Sequence, residues 1–214
     1  MNLFSPIITI EPDRGRKTRA QHAYADDNWF RRGDRVAARP GIEALYGPLI
    51  ARSADFYGPD TNNSVIGETV AKNLIRGKAA QVFGDVSRIH TLTYTPDAAK
   101  ATALLGNTDD AYDQVWHVPT TQERLTMLQW IELFADETHQ ELRMRRLPRP
   151  LFYLLGVFLP LMKEFPEMMY QNEMDYVFDS SKFEKRFGIA ATAPAEGVKV
   201  TVDYLRRTLR PVQH

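Results

Sequence analysis

From residue 48 onward, short apolar runs of strand type alternate with well-punctuated helices, and this alternation constrains the fold more than any other feature. Residues 48–54 read as a strand buried on both faces, the kind that sits in a parallel sheet. Ser64 can cap a helix running to about 76, with Ile66, Val70 and Leu74 on one face and Gly77 closing it. The runs QVFGD (81–85), IHTLTYT (89–95) and QVWHVP (114–119) follow as short strands. Between the last two lies TPDAAKATALLG, 95–106. Thr95 stands at the cap and Pro96 at the first position, Asp97 complements the dipole, and Gly106 ends the helix. A helix capped by Thr120 or Thr121 is expected next, and YVFDSSKFEKRFG (176–188) reads as a strand end plus a short helix. The final helix puts Val198, Val202, Leu205 and Leu209 on one face. Strands alternating with helices make an α/β protein.

Residues 1–45 differ in character. They carry eight basic and six acidic residues, few aliphatics, and turn formers at Pro12, Gly15, Gly33, Pro40 and Gly41. A short strand at Ile7–Ile10 and a helix within 17–31 are allowed, without convincing periodicity. The domain reading is therefore a divergent, partly irregular segment over 1–45 and an α/β domain over 46–214.

Charge and cysteine usage narrow the function classes. With 27 basic and 27 acidic residues the net charge is zero, which gives no electrostatic case for nucleic acid or an anionic membrane surface. Absence of Cys excludes disulfides, thiolate catalysis and Cys-based zinc sites, and fits a reducing cytoplasm. The five His are scattered, with no H-x-x-x-H pair, so no metal is expected. The start, MNLFSPIITIEPDRGRK, lacks the basic-then-apolar order of a signal peptide. LFYLLGVFLPLM (151–162) is broken by Gly156 and Pro160 and falls short of the about 20 residues of a membrane span. RMRRLPR (143–149) reads as a solvated helix end.

The stretch ARSADFYGP (51–59) ends a buried strand on Arg52, Asp55, Tyr57 and a Gly58-Pro59 turn. Ligands in open α/β sheets sit beyond the carboxyl ends of the strands, where these side chains would be delivered. Arg52 offers a planar fork for a carboxylate or phosphate. The alternative is that Arg52 and Asp55 pair with neighbours and fix the loop.

In order along the chain, ARSADFYGP, RIHTLTYTPDAAKA, QVWHVPT and FDSSKFEKRFG resemble the second half of the extended short-chain dehydrogenases/reductases, specifically the NAD-dependent epimerase/dehydratase family. The resemblance covers roughly residues 48–209. It rests on the Arg…Tyr-Gly-Pro strand end and on a Tyr-x-x-Asp segment met by Tyr94 and Asp97. The third part is a D-x-S-K…Gly segment met by Asp179, Ser181, Lys182 and Gly188. It implies a partial Rossmann-like sheet with a mostly helical substrate-binding and C-terminal region, a small-molecule substrate, and NAD or NADP as cofactor. The substrate side would comprise Arg52, Asp55, Tyr57, Arg88, His90 and Tyr94. Tyr94 and Asp97 have a structural alternative at the helix start, and His90 one as a satisfied polar residue.

Two parts of that family's machinery are absent. No two of the twelve glycines are spaced as G-x-G or G-x-x-G, so the turn that cradles a cofactor pyrophosphate is missing. None of the nine tyrosines has Lys four residues later, so the proton-transfer pair is missing as well. By the family's spacing, Lys17 takes the place of the catalytic Lys, with Asp13 where the Tyr would stand. The expectation is a truncated or divergent epimerase/dehydratase-like protein without independent catalysis. The alternative is a non-catalytic ligand-binding or partner-dependent subunit, as a homo-oligomer or with another chain.

Overall fold

The computed structural model describes residues 7–10, 49–61, 64–146 and 172–209. Lys17, the candidate helix within 17–31 and the apolar run 151–162 lie outside them. In chain order the strands are β1 (Ile7–Ile10), β2 (Leu49–Arg52), β3 (Asp55–Tyr57), β4 (Ala80–Val82), β5 (Leu92–Tyr94), β6 (Val115–His117) and β7 (Met144–Arg146). Helix α1 contains a π-helical turn, Gly67–Ala71, and continues as Lys72–Ile75. It is followed by α2 (Thr95–Gly106), α3 (Met127–Thr138), α4 (Ser181–Phe187) and α5 (Pro194–Thr208). The α/β class read from the sequence is the class observed.

The chain forms two units. The first comprises Met1–Phe56, Thr93–Thr120 and Phe178–Ala191. Its sheet has the order β1-β2-β6. β2 runs parallel to β6, with Ala51 opposite Trp116 and Arg52 opposite His117, and antiparallel to β1, with Ile7 opposite Arg52. The strand expected over 48–54 is thus shorter, and parallel on one side only. Successive side chains along a strand point to opposite faces. Leu49 and Ala51 accordingly enter the core while Arg52 is exposed. That core gathers Leu49, Ala51, Ala101, Leu105, Trp116 and Phe183. The Trp116 ring meets Phe183 edge-on at 6.4 Å and lies 5.5 Å from Phe187. Burying a side chain as large as Phe183 contributes about 2–3 kcal/mol.

The second unit comprises Tyr57–Leu92, Thr121–Val177 and Thr192–His214. Its interior is helix on helix: α3 buries Trp130, Ile131 and Phe134, while α5 buries Val198, Val202 and Leu205. The face of α5 read from the 3.6-residue period is therefore the face that packs, with Leu209 partly buried beyond it. Val65 and Ile66 are already helical ahead of the π-helical turn, and Ser64 stands before them at the cap as expected, its Oγ accepting from the Gly67 N–H at 3.1 Å; Gly77 takes a positive φ of 68° behind the helix.

Four local expectations are corrected. Residues 143–146 are not a helix end: β7 pairs in parallel with β4, and all three of its residues are exposed. Arg145 and Arg146 leave this strand charged and resistant to further pairing. Helix α3 starts at Thr126 and not at Thr120 or Thr121, because Thr126 and Gln129 form a reciprocal capping box. Thr120 is buried instead, its hydroxyl donating to the Val118 carbonyl at 2.9 Å. The cap of α2 is Tyr94, with Thr95 already inside the helix. Strand β5 begins only at Leu92, and Ile89 and His90 make isolated bridges to Thr126 and Tyr176.

Candidate functional site at the strand ends of the first unit

The carboxyl ends of β2 and β6 lie side by side. They are tied by the Val118 N–H donating to the Arg52 carbonyl at 2.9 Å. Register partners in a ladder share a face. Ala51 and Trp116 form the inward row, and Arg52 and His117 form the next row on the opposite face. The Arg52 guanidinium is exposed and forms no ion pair with a described residue. The described residues thus give Arg52 no carboxylate partner, whereas Asp55, the other half of the loop-fixing alternative, does have interaction partners.

His117 was one of five scattered histidines in the sequence, and nothing in its immediate neighbours marks it. The fold gives it a defined posture. Its ring stacks on Phe178 at a centroid distance of 4.2 Å and an interplanar angle of 25°. Its Nδ1 lies 2.7 Å from the Asp179 carbonyl oxygen. A carbonyl only accepts, so Nδ1 carries the hydrogen, and in the neutral ring Nε2 holds the lone pair. The signal that could have found it is positional: the last residue of a strand running parallel to the one that ends in Arg52.

The D-x-S-K segment explains how the posture is held. The Asp179 carboxylate accepts from the Ser181 N–H at 2.8 Å, opening α4. That N–H and the Ser181 hydroxyl hold the Asp179 carboxyl below its ordinary value, and the neighbouring Lys185 charge adds to this against a burial effect. Ser180 is fully buried, accepting from the Thr120 N–H at 3.1 Å and donating to the Glu184 carboxylate at 2.7 Å. Lys182 donates to the Val115 carbonyl at 2.9 Å with its ammonium 4.0 Å over the Trp116 ring. Gly188 ends α4 with a φ of 66°. This segment is a clip that fixes α4, Phe178 and Asp179 against β6.

The other sequence-derived candidates are distributed between the units. In the first, Asp55 is partly buried on β3, and Tyr94 is 7% exposed at the start of α2, where Asp97 is also buried. Nearby, the Ala54 N–H donates to the buried Thr93 hydroxyl at 2.9 Å. In the second, Tyr57 is 2% exposed and packs against Trp130 at 5.1 Å. His90 is 4% exposed; its carbonyl accepts from the Trp130 indole N–H at 2.8 Å, and its ring lies 5.2 Å from Tyr176. Arg88 is exposed and pairs with Asp85 at 3.3 Å. Hydrogen bonds from Ser87 chiefly lower the Asp85 carboxyl, with Arg88 and Arg146 adding to the effect. Among the described residues no cluster of His, Asp and Glu is arranged to hold a metal, and no helix is long and apolar enough to cross a membrane.

A short, partly parallel sheet flanked by helices, with polar groups at its carboxyl end, defines an open α/β protein of Rossmann-like type. No family model matches the sequence, and no curated protein matches it. Solved structures do match. UDP-glucose 4-epimerase from Thermotoga maritima, solved with UDP-glucose, is 20% identical with a TM-score of 0.56, over 75% of this chain and 46% of that one. UDP-glucuronic acid 4-epimerase from Bacillus cereus, in complex with NAD, is 15% identical with a TM-score of 0.56, over 75% and 45%. RMD from Pseudomonas aeruginosa, complexed with NADPH, is 14% identical with a TM-score of 0.53, over 74% and 47%. At these identities the likeness establishes the fold, and the chain spans less than half the length of these neighbours.

Proposed function

We propose that this chain is an epimerase/dehydratase-like protein that binds a sugar-nucleotide-class small molecule and does not carry out hydride transfer by itself. The observation that carries the reading is the exposed Arg52 guanidinium beside His117, at the carboxyl ends of two parallel strands. It occurs in a fold shared with structures that hold UDP-glucose, NAD or NADPH. Arg52 supplies the charge-assisted contact to an anionic group, and Asp55 is assigned to the same ligand. Tyr57 and His90 serve the interior of the second unit, where their rings pack against Trp130 and Tyr176. The missing Gly-rich turn and Tyr-x-x-x-Lys pair leave the 214 residues without a pyrophosphate cradle or a proton donor for NAD(P) chemistry. Equilibrium dialysis against UDP-glucose and UDP-glucuronic acid, run beside chromatography for any converted sugar nucleotide after incubation with NAD, tests this. Retention of a sugar nucleotide without turnover is expected, and turnover by the chain alone would refute it.

A second reading, a partner-dependent subunit, draws on the exposed apolar groups at Val115 on β6 and at Met174 and Val177. Light scattering after size exclusion decides it. A monodisperse monomer with a cooperative melt counts against this reading, and a stable higher mass supports it.

A further inference from the structure

Resting on the sugar-nucleotide reading, we infer that Arg52 and His117 form a two-point recognition site for a ligand bearing an anionic group next to a hydroxyl. Each of the two side chains has hydrogen-bonding capacity left over. Arg52 is exposed, and its guanidinium has no carboxylate, carbonyl or hydroxyl partner among the described residues. None of its five N–H donors is taken by a described residue, and their planar fork matches the two oxygens of a carboxylate or phosphate. His117 spends Nδ1 on the Asp179 carbonyl and one ring face on Phe178. What remains is Nε2, which in the neutral ring accepts a hydrogen bond and cannot give one. Register pairing puts the two side chains in one row across parallel strands, on the face opposite the buried Ala51 and Trp116.

A fixed donor fork beside a fixed acceptor selects a particular chemistry. A bare anion satisfies Arg52 and offers nothing to Nε2. A neutral polyol satisfies Nε2 but gives the fork only uncharged oxygens, without the charge-assisted pair. A hexuronate or a sugar phosphate offers both, an anionic oxygen pair and a hydroxyl that donates. Ring stacking on Phe178 and the Asp179 hydrogen bond remove the tautomer and rotamer freedom that would otherwise oppose binding, so His117 is already set for the ligand.

The test is a titration of the full chain, labelled with nitrogen-15 at histidine, with UDP-glucuronic acid and UDP-glucose. In the free protein the His117 ring should show the Nδ1–H tautomer. Saturation with the ligand should move the Nε2 resonance. Arg52→Ala and His117→Ala should each weaken binding by about tenfold while the backbone amide spectrum stays that of the parent. Preference for UDP-glucuronic acid places the sugar carboxylate on Arg52, and equal affinity places a phosphate there. Binding that neither substitution weakens, with an unmoved His117 resonance, overturns the pair and leaves the sugar-nucleotide reading standing. Binding of neither sugar nucleotide removes that reading. The pair is then decided by glucuronate alone: saturable movement of the Nε2 resonance sustains it, and an unmoved resonance overturns it.

Discussion

Helix α5 passes Tyr57 so closely that Gly197 has no room for a side chain. A Cβ built there collides with the Tyr57 phenol oxygen and lies 3.0 Å from the ring carbons Cε2 and Cζ. The glycine in this helix is thus explained by an aromatic neighbour, itself held against Trp130. Gly197→Ala gains helix propensity of up to about 1 kcal/mol. Overpacking against a buried ring costs about 1–3 kcal/mol and wins. We expect a net loss of stability in urea unfolding. In a double-mutant cycle, Tyr57→Phe should recover part of it, because it removes the oxygen that collides first.

Thr126→Ala should cost about 1 kcal/mol, since it breaks both halves of the box with Gln129 at the start of α3. Thr126→Ser should retain most of that stability. The two midpoints of chemical unfolding, compared with the parent, measure it.

The same helix shows what was legible in the sequence. The Thr126-x-x-Gln129 spacing is a recognised start signal, yet three threonines precede the apolar period. Only the fold shows that Thr120 is buried in hydrogen bonds of the first unit. The packing face of α5 and the Gly188 stop of α4 were readable because each depends on neighbours within one turn of helix. Strand β7 was not, because an all-exposed Met-Arg-Arg run has no alternation to betray it. At the site, Arg52 stood out by its place after an apolar run. His117 did not, because its partners Phe178 and Asp179 lie some sixty residues away and meet it only through α4.

Stability should fall at acid pH in part through Asp179. Ser181 lowers its folded-state value below the ordinary 3.8, so the carboxylate stabilises the native state above that ordinary value. The contribution fades as pH falls through the lowered value. Asp179→Asn should therefore flatten the acid limb of a melting-temperature profile and leave its slope near neutral pH unchanged. An unaltered acid limb would remove Asp179 from the account.

Lys182→Met keeps the apolar stem over Trp116 and removes the ammonium that donates to the Val115 carbonyl. Because the group is exposed, the expected loss is about 0.5–1.5 kcal/mol. A larger effect should appear in hydrogen exchange of α4, whose attachment to β6 this contact secures.

The most direct test of the central claim is a calorimetric titration of the 214-residue chain with UDP-glucuronic acid, followed by NADH in the same cell. The account predicts saturable heat from the sugar nucleotide and none from NADH. Micromolar binding of NADH, with no heat from the sugar nucleotide, would contradict it.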